Sequence, residues 1–156
     1  MADIDLTQEE ADALIAMPKC RVNEDIVFCP SQGKSVTIPL VSEDKRENFS
    51  LDIRCGGRIC QVKATYQNRV RQTVVLIRLD LGGAPHRNPD GEEIACPHLH
   101  VYREGYGAKW AKSISADRFS NCMDLWETLQ DFMSYCNITK QPNIQRGIDG
   151  WKRYKS

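Results

Sequence analysis

The chain has 156 residues, 41% hydrophobic and 27% charged, with 21 basic and 21 acidic side chains in balance. That length and composition fit one globular domain, residues 1–156, and exclude a disordered or fibrous protein, while the neutral balance names no partner. No apolar run approaches the roughly 20 residues that cross a bilayer and no signal-peptide pattern opens the chain, so the expected setting is cytoplasmic with no membrane partner.

From Met1 to Met17 there are acids (Asp3, Asp5, Glu9, Glu10, Asp12) and no bases. Thr7 followed by Glu10 is a capping-box pattern, and Leu6, Leu14, Ile15 and Met17 suit one face of a short helix that Pro18 ends. The period then changes from helix to strand. Residues 36–41 and 48–54 read as strands, with a turn at Gly56-Gly57. Residues 58–67 alternate, with Cys60, Val62, Ala64 and Tyr66 opposite Gln61, Lys63 and Thr65. Residues 72–81 form the strongest strand, and its Val74-Val75-Leu76-Ile77 run is apolar enough for burial on both faces. A further strand covers 96–102. Residues 124–137 read as a helix carrying Leu125, Leu129, Phe132 and Met133 at helical spacing, with Ser120 or Asn121 as its start. Trp126, Phe132 and Tyr135 are most simply packing residues of that helix. Short connections favour antiparallel pairing. The expected fold class is α+β: an antiparallel sheet of about five or six strands with an N-terminal and a C-terminal helix packed on one face. Residues 147–156 read as a flexible basic tail whose interleaved aromatics could stack on bases, although a frayed terminus is the simpler reading.

The seven cysteines are scattered, odd in number and without CxxC spacing, so reduced thiols are expected rather than a disulfide framework or zinc ribbon.

The chemistry concentrates in residues 78–110. All three histidines, His86, His98 and His100, fall there. Alternation on a strand projects His98, His100 and Tyr102 to one side and Leu99 and Val101 to the other. Pairing with the strand over 72–81 brings Arg78 and Asp80 near. The connection from Gly82 to Gly91 is too long for a tight hairpin, and functional residues often sit on such loops. Singly, each histidine would be a surface residue and Asn88-Pro89-Asp90-Gly91 a good turn.

Together they fit two chemistries. One is metal-independent RNA cleavage without a cofactor: one histidine takes a proton from a ribose 2′-hydroxyl and another protonates the leaving 5′-oxygen. Arg78, Arg103 or Lys109 would offset charge on the phosphate, and Tyr102, Tyr106 or Trp110 would stack on a base. The other is a divalent metal site. His98-x-His100-x-x-x-Glu104 has the spacing of the first cupin metal motif, although the second cupin motif is missing, and His86 could complete a three-histidine set. Cys96 shares a face with His98 and could act as a nucleophile with it. A reading from another class is a non-catalytic interaction protein of a mobile element that acts on a host or phage factor.

Arg78-Leu79-Asp80, then Pro85-His86, then Pro97-His98-Leu99-His100 resembles the signature of TumE-type toxins of bacterial toxin–antitoxin systems. The longer string from Pro85-His86-Arg87-Asn88-Pro89-Asp90-Gly91 to His98-Leu99-His100-Val101-Tyr102-Arg103-Glu104-Gly105-Tyr106 also resembles uncharacterised bacterial and prophage proteins. The toxin resemblance implies growth inhibition directed at RNA, with RNA and an antitoxin protein as partners. It carries to Arg78, Asp80, His86, His98 and His100 alone. His86-Arg87 departs from the doubled histidine common in those toxins.

Overall fold

Strand alternation fixes the architecture of the computed structural model, which describes residues 5–56 and 63–146. A meander runs through β3 (Ser35–Ser42), β4 (Asn48–Gly56), β5 (Lys63–Val70) and β6 (Val74–Leu81). In β4, Phe49, Leu51, Ile53 and Cys55 are buried while Asp52 and Arg54 project from the opposite face. That period of two gives the sheet one apolar and one polar side. The meander continues on one flank to β9 (His98–Val101) and β10 (Ala111–Ser113), and on the other to β1 (Lys19–Arg21) and β11 (Ile138–Lys140).

The result is α+β, but the sheet has eight strands and is mixed, because β1 pairs with β11 in parallel. This corrects the expectation of five or six antiparallel strands. The added strands are three residues long, too short for alternation to register, and β1 meets β11 from the far end of the chain. Two small sheets complete the fold: β2 (Ile26–Phe28) with β12 (Asn143–Gln145), parallel, and β7 (His86–Arg87) with β8 (Glu93–Ile94), antiparallel.

The Val74 to Ile77 run is not buried on both faces; Val75 is half-buried. A register shift opposite Asn68 and Arg69 leaves Leu76 as the extra residue, so Leu76 and Ile77 are buried in succession. That is a β-bulge.

Both helices add to one core with the apolar side of the sheet, the first through Ala11 and Leu14 and the second through Leu129, Phe132 and Met133, and Leu6, just before the first helix, joins them. In α1 (Gln8–Ala16) the capping box is present: Thr7 Oγ1 accepts the Glu10 amide at 3.1 Å and Glu10 Oε1 accepts the Thr7 amide at 3.3 Å. In α2 (Leu125–Tyr135) the cap is Asp124, which accepts the Glu127 amide at 3.0 Å. Ser120 and Asn121 therefore precede the helix, and Asn121 instead caps a turn by accepting the Met123 amide at 3.3 Å. Each fully buried leucine or isoleucine in this core contributes roughly 1.5–3 kcal/mol.

Lys19, 0% exposed, joins the two helix ends. Its Nζ donates to the carbonyls of Ile15 at 2.9 Å, Met17 at 3.0 Å and Cys136 at 2.7 Å, and sits 4.9 Å from the centre of the Phe49 ring. These are carbonyls that helix termini leave without intrahelical donors. Burial pushes the ammonium down to about 8.

Gly56 is the last residue of β4. Gly57, the 58–62 part of the strand expected over 58–67, and the basic tail over 147–156 lie outside the described residues. Among the described residues no helix is long and apolar enough to cross a membrane.

Candidate functional site

The polar side of the sheet carries two rows of side chains in register. One runs Thr37, Asp52, Gln67, Arg78, His100, each opposite the next on the neighbouring strand. The other runs Ser35, Arg54, Thr65, Asp80, His98, Ser113. Pairing of β6 with β9 thus brings Arg78 and Asp80 against His100 and His98, while Leu99 between them enters the core.

His86 arrives from the loop. The segment after β6 turns at Gly82 and Gly83, with φ of 69° and 114°, values that favour glycine. It then enters the β7–β8 hairpin, which begins inside the connection expected from Gly82 to Gly91 and ends beyond it. Asn88 and Gly91 close it, with the Asn88 amide on the Glu92 carbonyl and the Gly91 amide on the Asn88 carbonyl, both at 2.8 Å. The Asn88 side chain, on a residue only 5% exposed, then clips the hairpin to β10. Its Nδ2 donates to the Ala111 carbonyl at 2.9 Å and its Oδ1 accepts the Ala111 amide at 2.8 Å.

Three imidazoles consequently converge. Ring centres lie 4.5 Å apart for His86 and His100, 5.0 Å for His98 and His100, and 5.8 Å for His86 and His98. His86 and His98 line a polar cleft of about 610 Å³, with Arg78, Asp80, Arg54 and Lys63 among its other walls. His100 is fully buried beneath.

Hydrogen-bond acceptors fix one nitrogen of each ring. A carbonyl can only accept, so His100 Nδ1 donates to the Ala108 carbonyl at 2.8 Å and His86 Nε2 donates to the Lys109 carbonyl at 2.7 Å. His98 Nε2 donates to Asp80 Oδ2 at 3.2 Å, leaving a buried Nδ1 with no hydrogen-bond partner among the described residues. His100 Nε2 lies 3.0 Å from Arg78 Nη2 and 3.2 Å from Asp80 Oδ2. It accepts from Arg78 when the ring is neutral and donates to Asp80 when the ring is protonated.

Burial alone would raise the Asp80 carboxyl. The hydrogen bond from His100 and the charge of Arg78 outweigh it and hold the group well below the usual carboxylate range. Arg78 Nη2 donates to Oδ2 at 3.2 Å, while its Nε, 3.2 Å from Oδ1, is within ion-pair distance without hydrogen-bond alignment. Burial lowers the His98 imidazole, the Asp80 charge opposes this, and His100 reinforces it, for a net shift downward.

The expected residues separate into two groups. Arg78, Asp80, His86, His98 and His100 come together; the aromatic and cationic set beyond them does not. Tyr102 leaves the histidine side because the strand ends at Val101, and its hydroxyl donates to the Leu6 carbonyl and accepts the Leu6 amide, both at 2.8 Å. Arg103 stacks 4.1 Å over Trp110, which meets Tyr106 edge-on at 5.7 Å. Arg103 and Trp110 line a separate hollow with Leu99 and Val101, the other side of β9. Lys109 reaches the site through its backbone carbonyl. The Cys96 thiol donates to the carbonyls of Asp80 at 3.4 Å and Gly82 at 3.5 Å, and burial raises it. A thiol so held is not a poised nucleophile.

Glu104 is likewise elsewhere: its carboxylate accepts the Gln8 amide at 2.7 Å at the start of α1. The carboxylate at the histidines is Asp80, and one donor atom each from Asp80, His98 and His100 lies within 4.8 Å of the others. That set could hold a divalent ion, although Arg78 Nη2 already stands 3.0 Å from His100 Nε2. Asn88 is the functional residue that sequence reasoning missed. Its identity as a good turn residue concealed its use as a clamp.

Residues 6–138 match a family of unknown function, DUF6978. No curated protein and no solved structure matches the chain.

Proposed function

The chain belongs to DUF6978, and because that family carries no assigned activity, we propose from the site itself that this protein cleaves RNA without a metal. The observation that carries the reading is the pair of cleft-lining histidines, 5.8 Å apart, with His98 bonded to a carboxylate held anionic. Burial lowers the His98 imidazole, which favours the neutral form a base needs; its Nδ1, buried and without a hydrogen-bond partner among the described residues, is the atom a ribose 2′-hydroxyl must reach. The 2′-oxygen then bonds to phosphorus as the bond to the 5′-oxygen breaks. His86 in its protonated form supplies the proton to that leaving oxygen, and Arg78 offsets charge on the phosphate. The products are a 2′,3′-cyclic phosphate and a 5′-hydroxyl. His100 is a positioning residue: it touches Asp80 and Arg78 rather than the cleft. The resemblance to TumE-type toxins agrees with this reading and adds an antitoxin protein as the expected partner.

The test is cleavage of mixed single-stranded RNA by purified protein in excess chelator, beside His98→Ala. Chelator-resistant cutting that leaves cyclic phosphate ends and vanishes in the variant is the expected result. Full activity in His98→Ala, or none in the wild type, overturns it. A second reading, a divalent-metal enzyme, draws on the closeness of the Asp80, His98 and His100 donor atoms. It requires cutting that chelator removes and added metal restores.

A further inference from the structure

The cleft continues across the sheet from the histidines, and its far end is cationic. Arg54 lies in the row of His98, separated from it by Asp80 and Thr65, so three strand spacings or roughly 14 Å divide them. Lys63 stands opposite Gly56 on the same two strands, β4 and β5. Both side chains line the cleft, and neither has an ion-pair partner among the described residues.

The acids nearby are already engaged. Asp52 receives Arg69 through Nε at 2.6 Å and Nη2 at 2.8 Å, with Gln67 at 2.9 Å and Thr37 at 2.7 Å. Asp80 is matched by Arg78 and the histidines. Opposite Lys63 the wall is Gly83, whose backbone passes close enough that a Cβ there would meet Lys63 Cε at 3.6 Å, an ordinary van der Waals contact.

Two unmatched cations in a groove continuous with an acid–base site, one two strands and the other three strands from β9, have a defined use. We infer that Arg54 and Lys63 form a second phosphate subsite, so that the substrate is a single-stranded oligonucleotide laid across the strands from β9 to β4. This rests on the RNA-cleavage reading and deepens it. A dinucleotide engages the histidine end alone; a longer strand places a later phosphate between Arg54 and Lys63.

The experiment compares cleavage of a dinucleotide and a hexanucleotide by the wild type and by Arg54→Ala/Lys63→Ala. It adds binding of a non-cleavable 2′-O-methyl hexanucleotide across a salt series. The double variant should lose about tenfold or more in kcat/KM on the hexanucleotide, the effect of losing charge-assisted contacts, chiefly in KM. Its dinucleotide cleavage should stay within about twofold, which also shows that the variant folds. The slope of log binding constant against log salt should shrink by roughly 0.7 for each cation removed. Equal losses on both substrates, or no loss on the hexanucleotide, overturn the subsite and leave the cleavage reading standing. If the wild type cuts neither substrate, the cleavage reading falls. An unchanged salt slope in the variant then overturns the subsite as well.

Discussion

Replacing Asn88 with alanine tests whether one side chain holds the hairpin that delivers His86. The substitution removes two hydrogen bonds, to the carbonyl and the amide of Ala111. Each contributes about 1 kcal/mol net, and a stranded buried partner costs about 1–3 kcal/mol more. Both residues are nearly closed to solvent, at 5% and 7% exposure, so water is a poor substitute. The expected loss is about 3 kcal/mol, read as a lower urea midpoint at unchanged slope. Asn88→Asp sharpens the test. It keeps the shape and the acceptor but sets a carboxylate oxygen against the Ala111 carbonyl, so it should cost about 2–3 kcal/mol despite being isosteric. Because His86 hangs from this hairpin, RNA turnover should fall further than the unfolded fraction accounts for. Both variants within about 0.5 kcal/mol of the wild type, the range of an ordinary surface change, would refute the clamp.

His98→Ala should lower kcat by roughly 10²–10⁴-fold, the usual scale for acid–base catalysis, with the urea midpoint showing that the fold survives. Asp80→Asn should reduce kcat with little change in KM, because it unseats His98 and Arg78 without removing either from the cleft; a KM effect alone would contradict that role. Tyr102→Phe should cost about 2 kcal/mol by removing both bonds to Leu6, while RNA cleavage by the folded protein stays unchanged; selective loss of cleavage would return Tyr102 to the site. Lys19→Met should destabilise by about 2–4 kcal/mol, since three buried carbonyls lose their donor. With Lys19 near 8 in the folded state against 10.5 unfolded, the unfolded chain binds more protons between those values. Stability of the wild type relative to Lys19→Met should therefore rise across that window, by about 3 kcal/mol in all, and stay level below pH 8. Parallel pH curves for the two proteins would exclude a depressed lysine.

What the sequence disclosed followed local physics. Thr7 and Glu10 announce their capping box because both halves lie within one turn. The central strands are legible because alternation over eight or nine residues has no other explanation. The same rule put His98 and His100 on one side and matched them with Arg78 and Asp80. It failed at Tyr102, where the strand has already ended, and at Glu104, whose partner Gln8 lies near the other end of the chain. The joining of β1 to β11 and the return of His86 over β9 are likewise non-local, set by packing that no short window contains. Asp124 outcompeted Asn121 as the helix cap for a local reason that is hard to read. Both are good capping residues, and the choice depends on which amide lies three positions ahead in helical geometry.

The Asn88 clamp has a consequence for the company this protein keeps. Among the described residues β10 is the last strand on its side of the sheet, and such a border offers unused amides and carbonyls to any passing extended chain. By occupying both main-chain groups of Ala111, the asparagine stands in for the missing next strand and denies that foothold to a neighbour. The segment that carries a histidine inward therefore also keeps an open sheet from growing outward.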